Sequence, residues 1–128
     1  MRLLLDTHTL IWWVSDDAAL SIAAWNAIGD PNNEVLISAA SAWEIATKHR
    51  IGKLAEAGPL ASDFSESIAA EGFVGLPIGI RDGEAAGRLP GPHRDPFDRM
   101  LIAQALGGSL TLVSNEQLFD RYGVSRLW

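Results

Sequence analysis

The sequence contains no cysteine among its 128 residues, which excludes disulfide bonds, a thiolate nucleophile and any zinc site built on cysteine. Long apolar runs are also missing, since no stretch approaches the roughly 18 residues of a membrane span. The amino terminus, MRLLLDTHTLIWWV, is interrupted by Asp6 too early for a signal peptide. We therefore expect a cytoplasmic protein without a membrane segment, in which any metal ion is bound by oxygen or imidazole.

Basic residues are scarce as well. Ten Lys and Arg face sixteen Asp and Glu, which gives a formal net charge of −6. Such a chain cannot hold nucleic acid by bulk electrostatics alone. A nucleic-acid substrate would therefore need a metal ion or the charge of a partner.

The length and composition are those of a globular protein. Hydrophobic residues make up 48% of the chain and charged residues 20%, an ordinary balance for a packed domain. At this length we expect a single domain over residues 1–128.

Apolar periodicity predicts strands that alternate with helices. Strands are predicted at 2–6, 34–38, 73–76 and 110–113, with a possible edge strand at 124–128. Helices are predicted at 7–15, from Ser21 to Gly29, from Ser38 or Ser41 towards Gly52, at 59–71, at 81–88, from Asp98 to Gly107, and at 117–122. Residues 89–96, with three prolines and a glycine, are predicted to form an exposed loop. The order predicts an α/β sandwich around a mainly parallel sheet of four to five strands flanked by helices.

Five acidic residues interrupt or adjoin the apolar elements. They are Asp6 after Leu3-Leu4-Leu5, Glu44 in ISAASAWEIA, Asp95 and Asp98 at the start of the helix in HRDPFDRMLIAQAL, and Glu116 after TLVS. In a parallel sheet, ligands gather beyond the carboxyl ends of the strands. Two carboxylates about 4 Å apart repel each other by roughly 4 kcal/mol at an effective dielectric of 20, so several facing acids require a cation or protonation. Mg²⁺ or Mn²⁺ prefers such oxygen ligands, and phosphodiester hydrolysis is the chemistry that these ions support.

Each acid also has a structural explanation that the residue pattern leaves open. Asp6 can cap the helix that starts at Thr7, and Glu44 can pair with Lys48 one turn later. Asp95 is the natural cap of the helix whose first turn holds Pro96, which leaves Asp98 as an additional acid. Either aspartate can pair with Arg94 or Arg99, and Glu116 can be a solvated surface acid.

Four segments, in this order, resemble the PIN-domain family, and specifically the VapC-type toxin ribonucleases of bacterial toxin–antitoxin pairs. They are LLLDTHTLIWW, SAASAWEIATKHRIGKL, HRDPFDRMLIAQAL and LTLVSNEQLFDRYGVSRLW. The resemblance runs nearly end to end. It implies a PIN-like three-layer sandwich and an endoribonuclease that depends on Mg²⁺ or Mn²⁺.

The resemblance also implies an acidic quartet, in which Asp6, Glu44, Asp98 and Glu116 are catalytic and hold the metal. Asp95 belongs to the DPFD form of the third motif and is expected to support a ligand or to bind through water. The fourth position is usually Asp, and Glu116 keeps the carboxylate on a longer arm. Contacts to carboxylates or to substrate are expected from Thr7, Ser41, Asn115, Lys48, Arg50 and Arg99.

Partners follow from the same resemblance. It implies an RNA substrate, a homodimer and a cognate VapB-type antitoxin, and the acidity of the chain suits a basic partner. The histidines His8, His49 and His93 lack the spacing of a zinc site, and we expect His93 to hydrogen-bond within its loop.

Three other functions compete with this one. A haloacid-dehalogenase-like phosphatase also places an aspartate after an apolar strand, but it needs a second acid two residues on, where this chain has His8. A response-regulator receiver needs a lysine late in the chain, and the lysines here are Lys48 and Lys53. A non-catalytic binding module with the PIN fold is the third, and the intact acids oppose it.

Overall fold

A five-stranded, all-parallel sheet forms the centre of the protein, which a computed structural model describes over residues 1–128. The strands are β1 (Arg2–Leu5), β2 (Glu34–Ser38), β3 (Val74–Leu76), β4 (Thr111–Val113) and β5 (Ser125–Leu127). Their order across the sheet is β3-β2-β1-β4-β5. The predicted parallel sheet is confirmed, and the possible edge strand at the carboxyl end is β5.

Helices cover both faces of this sheet. They are α1 (Thr7–Val14), α2 (Ile22–Gly29), α3 (Ala39–Arg50), α4 (Gly58–Ser62), α5 (Phe64–Ala70), α6 (Ile80–Arg88) and α7 (Pro96–Gly108), with 3₁₀ turns at Ala55–Ala57 and Gln117–Tyr122. Every helix is too short or too polar to span a membrane.

The protein has two apolar cores, one on each face of the sheet, because successive residues of a strand face opposite sides. Leu3 and Leu5 of β1 pack in the larger core with residues of α1 to α5. Leu4, between them, packs in the smaller core against Leu101 and Ile102 of α7. The result is the expected three-layer sandwich.

The predicted helix over 59–71 is wrong, because the chain breaks into α4 and α5 at Asp63. The backbone of Asp63 is extended, with φ −153° and ψ 87°, and its Oδ1 accepts a hydrogen bond from the Glu66 backbone N–H at 3.2 Å. An aspartate that caps a new helix competes with continuation of the old one. The periodic spacing of apolar residues continues across Asp63, so it cannot reveal that the helix ends there.

Capping residues define the other helix starts near the carboxyl edge of the sheet. Ser38, and not Ser41, caps α3, since its hydroxyl accepts the Ala40 N–H at 3.0 Å. Asp95 caps α7, which confirms the predicted cap, and the helix begins at Pro96, two residues before Asp98, where the apolar pattern placed its start. Asp98 is thus fixed in the first turn of α7.

The loop before α7 is held at both ends. The Tyr122 hydroxyl accepts the His93 backbone N–H at 2.9 Å, and it lies so close to Gly91 that a Cβ there would sit 2.6 Å from the oxygen. Gly91 also has φ +99°, a conformation that side chains with a Cβ rarely adopt. A glycine is therefore required where this loop turns towards Asp95.

Candidate active site

A cavity of about 190 Å³ opens at the carboxyl ends of β1 and β4. The chain reaches β2 and β3 on one side of β1 and returns to β4 on its other side, so the strand order reverses between β1 and β4. Such a switch point is where parallel α/β sheets bind ligands. No hydrophobic residue lines the cavity, whose lining consists of Asp6, Thr7, His8, Glu44, Lys48, Asp95, Asp98, Asn115 and Glu116.

Asp6 is both a helix cap and a member of the cavity lining. Its Oδ1 accepts the Thr9 backbone N–H at 2.9 Å, and only 8% of the residue is exposed. Burial raises the pKa of the Asp6 carboxyl, against the opposing effects of hydrogen bonds from Ser114 and Thr9 and of the nearby His8. The capping and cavity interpretations of Asp6 are thus compatible.

Glu44 is buried, with two partners from this chain. The Thr7 hydroxyl lies 2.6 Å from Oε1 and 3.0 Å from the Ser41 hydroxyl. Because Thr7 has one proton, the shorter contact is the one in which it donates to the carboxylate. The other oxygen, Oε2, is paired with the Lys48 ammonium, which confirms the predicted pair between positions four residues apart.

Asp95 and Asp98 form an acidic pair at the start of α7. Oδ1 of Asp95 accepts the backbone N–H groups of Phe97 at 2.9 Å and Asp98 at 3.1 Å. Burial raises the pKa of Asp98 to about 7, with further contributions from the charges of Asp95, Asp6 and Glu44. The acids therefore repel one another as the sequence argument anticipated.

The alternative in which arginines neutralise these two aspartates is wrong. Arg99 donates from all three guanidinium nitrogens to the backbone carbonyls of Ala86, Leu89 and His93. Asp98 instead has His93 beside it, with Nε2 at 2.9 Å from Oδ2. The separation is that of an ion pair, although the geometry at Nε2 lies outside that of a hydrogen bond.

Glu116 and Asn115 lie beyond β4, opposite Asp6. Glu116 caps the following 3₁₀ turn, with Oε1 accepting the Leu118 N–H at 3.0 Å. Its own N–H is held by the Ser114 hydroxyl at 3.0 Å. The longer arm of Glu116 still reaches the cavity lining.

The structure separates the remaining predicted residues from the cavity. Ser41 is buried behind Thr7, Arg50 is exposed at the end of α3, and Arg99 ties the loop before α7 to α6. Two residues that the sequence argument did not select, His8 and Ser114, belong to the site. The only feature of the sequence that could have indicated them is their position, since His8 follows Thr7 and Ser114 precedes Asn115.

The donor chemistry fits a hard divalent cation. Five carboxylates and one ammonium share the cavity lining, and hard cations prefer oxygen ligands. In the conformation described, no three acidic or histidine side chains converge closely enough to hold one ion. Coordination would therefore require rotation of carboxylates that already share the cavity.

The pH dependence of stability should report the repulsion at Asp98. Its folded pKa lies above the ordinary value near 4, so between about pH 4 and pH 7 the folded chain binds more protons than the unfolded chain. The free energy of unfolding in metal-free buffer therefore falls as pH rises from 5.5 to 8. The part of the Asp98 shift that lies above pH 5.5 corresponds to a loss on the order of 2 kcal/mol.

Urea unfolding at both pH values, with EDTA present, measures this loss. We expect Asp98→Asn to remove most of the slope and Asp63→Asn, at an exposed cap, to keep it. A wild-type free energy of unfolding that rises across this range would contradict the assignment.

Comparison with known proteins agrees with this architecture. A sequence model of the PIN domain matches residues 3–124, and no curated protein sequence matches significantly. The chain is similar in structure to VapBC2 from Rickettsia felis bound to a DNA fragment from its promoter, with TM-score 0.72 and 17% identity over 99% of this chain and 98% of that chain. It is also similar to FitAcB from Neisseria gonorrhoeae, with TM-score 0.61 and 16% identity over 98% of this chain and 96% of that chain. A third likeness is to VapBC-1 from nontypeable Haemophilus influenzae, with TM-score 0.54 and 13% identity over 99% and 97% of the two chains. At these identities, the likenesses show a shared fold.

Proposed function

Because this chain belongs to the PIN-domain family, we propose that it is a metal-dependent endoribonuclease and the VapC-type toxin of a type II toxin–antitoxin pair. The observation that carries the proposal is the cavity at the switch point of the sheet, lined by five carboxylates and no hydrophobic residue. Such a concentration of negative charge is costly without a cation. A binding module without chemistry would have no use for it.

Asp6, Asp98 and Glu116, with Asp95 beside them, are the residues that would hold Mg²⁺ or Mn²⁺. The ion, when bound, would polarise the phosphodiester and lower the pKa of the attacking water. Glu44 completes the catalytic quartet that we propose. The Thr7 hydroxyl fixes its carboxylate, and the Ser41 hydroxyl in turn contacts that of Thr7.

RNA is the proposed substrate, although the chain is acidic overall. Lys48, His8 and Asn115 are cavity residues able to donate hydrogen bonds to a phosphate oxygen, and Arg50 is exposed on the same helix as Lys48. Because these donors are few, we propose that the bound metal ion supplies most of the positive charge that attracts RNA.

Two kinds of protein partner are proposed, a second copy of this chain and a VapB-type antitoxin. The likenesses to VapBC2 and FitAcB support an antitoxin, and the net charge of −6 favours a basic one. Trp25 and Trp43 are 54% and 61% exposed, and large exposed aromatic residues are typical anchors of interfaces. The proposed setting is the cytoplasm, where RNA and antitoxin are both present.

The function is tested by mapping cleavage sites on total cellular RNA with the purified protein. We expect discrete cuts with Mn²⁺ or Mg²⁺ and none with EDTA. Intact RNA under all conditions would refute the nuclease and favour the non-catalytic binding module. Sedimentation at high micromolar concentration tests the homodimer, which a monomer would contradict.

A further inference from the structure

Glu44 differs from the other acids of the cavity because both of its oxygens have partners. Oε1 accepts from the Thr7 hydroxyl, and Oε2 is paired with Lys48. Only 4% of Glu44 is exposed, so breaking either contact would leave a buried polar atom without a partner. Glu44 is therefore the acid least able to turn towards a metal ion.

The other acids keep acceptor capacity for an ion. Asp95 uses Oδ1 for both of its backbone hydrogen bonds, and Glu116 uses Oε1 for its one. Asp98 has only His93 close to Oδ2 and makes no hydrogen bond to it. The available carboxylate oxygens thus belong to Asp95 and Asp98 at the start of α7 and to Glu116 beyond β4.

Lys48 supplies a fixed positive charge on the Glu44 side of the cavity. Its side chain is 29% exposed, and its ammonium lies 5.7 Å from the centroid of the Phe97 ring. A cation over an aromatic face is attracted by the ring quadrupole. Glu44 and Phe97 together therefore hold the Lys48 charge at the lining of the acidic cavity.

We propose that Lys48 takes the place of a second metal ion, so that the cavity binds one divalent cation. The ion is held by Asp6 and Asp98 with support from Asp95 or Glu116, and Glu44 is a positioning residue that anchors Lys48. This inference rests on the proposed function for the presence of the ion. It changes the role expected for Glu44, which then acts on the site through Lys48 and Thr7.

Counting Mn²⁺ on the full-length chain tests the stoichiometry. Calorimetry, with free Mn²⁺ measured by electron paramagnetic resonance, should give one ion per chain for the wild type. Lys48→Met keeps the apolar stem against Phe97 and removes the charge, so it should bind Mn²⁺ about tenfold more tightly or accept a second ion. Asp98→Asn, which removes a ligand, should weaken binding by about 100-fold.

A double variant separates a positioning role for Glu44 from direct coordination. Glu44→Gln alone should weaken Mn²⁺ binding about tenfold through its lost charge. In Glu44→Gln/Lys48→Met one negative and one positive charge are removed together, so the dissociation constant should return to within about threefold of the wild-type value. If Glu44 coordinated the ion directly, Glu44→Gln would weaken binding about 100-fold like Asp98→Asn. The double variant would then remain about tenfold weaker than the wild type, and the inference would be overturned.

Lys53→Met is the matched control, since Lys53 is the other lysine of the chain and is exposed outside the cavity. It should bind Mn²⁺ like the wild type, and thermal unfolding should show that each variant is folded. Two ions on a wild-type chain that cleaves RNA would overturn the inference and leave the proposed function intact. One ion on a chain that leaves RNA uncut would support the inference and refute the nuclease.

Discussion

Replacing Asp6 by Asn is expected to reduce Mn²⁺-dependent RNA cleavage by roughly 10²- to 10³-fold, the usual effect of losing one group that stabilises transition-state charge. The substitution removes one of the five carboxylates that line the cavity. Cleavage of a labelled RNA under single-turnover conditions measures the loss. If Asp6 holds the ion against the scissile phosphate, as we propose, added Mn²⁺ should restore little of the rate.

The same variant should remain as stable as the wild type, or become more stable, in metal-free buffer. Asn retains the Oδ1 acceptor for the Thr9 N–H, and Asn and Asp are equally good helix caps. The change also removes a carboxyl whose pKa is raised by burial. Urea unfolding with EDTA checks this expectation.

Asp63→Asn is the matched control for Asp6→Asn. Asp63 caps α5 with the same kind of side-chain hydrogen bond, but it lies outside the cavity. It should leave cleavage unchanged. Normal cleavage by Asp6→Asn would refute the catalytic assignment, and unfolding of that variant would show that the Asp6 carboxylate is needed for the fold.

Replacing Leu101 by Ala is expected to lower the free energy of unfolding by about 3 kcal/mol. Leu101 is 1% exposed on α7 and packs in the smaller core with Leu4 and Ile102. The truncated side chain leaves a cavity in a close-packed interior. Because the total stability of a domain is about 5 to 15 kcal/mol, the midpoint of urea unfolding should fall markedly.

Leu106→Ala on the same helix provides the comparison. Leu106 is 43% exposed, so its truncation should change the free energy of unfolding by no more than about 0.5 kcal/mol. Equal losses for the two variants would show that α7 does not pack against the sheet as described. Since α7 also carries Asp98, cleavage by Leu101→Ala should fall as the helix loosens.

Local patterns in the sequence predict most of the secondary structure. The apolar run before Asp6 and the apolar run of 34–38 form strands, and the Asp95-Pro96 pair marks the start of α7. These predictions succeed because strand periodicity, capping and proline geometry depend on neighbours along the chain. The prediction over 59–71 fails where two local preferences compete at Asp63.

Charge partners are less predictable, because they depend on distances in space. The pair of Glu44 and Lys48 is confirmed, since one helical turn brings the residues together. Arg99 is adjacent to Asp98 in sequence, yet its guanidinium binds backbone carbonyls of Ala86, Leu89 and His93. Consecutive residues of a helix point in different directions, and the loop before α7 offers Arg99 unpaired carbonyl groups.

The sequence by itself determined which segments become strands and helices, and it placed each acid within an apolar element or beside one. Only the tertiary structure decided that β4 lies beside β1 and that residues of α3 and α7 lie at the carboxyl ends of these two strands. Strand order follows from the packing of two cores across the whole chain, which no local pattern contains. The same packing brings Lys48, near the end of α3, to the lining of the acidic cavity. Its effect on the acids could not be predicted locally, because electrostatic interactions depend on separation in space and on burial.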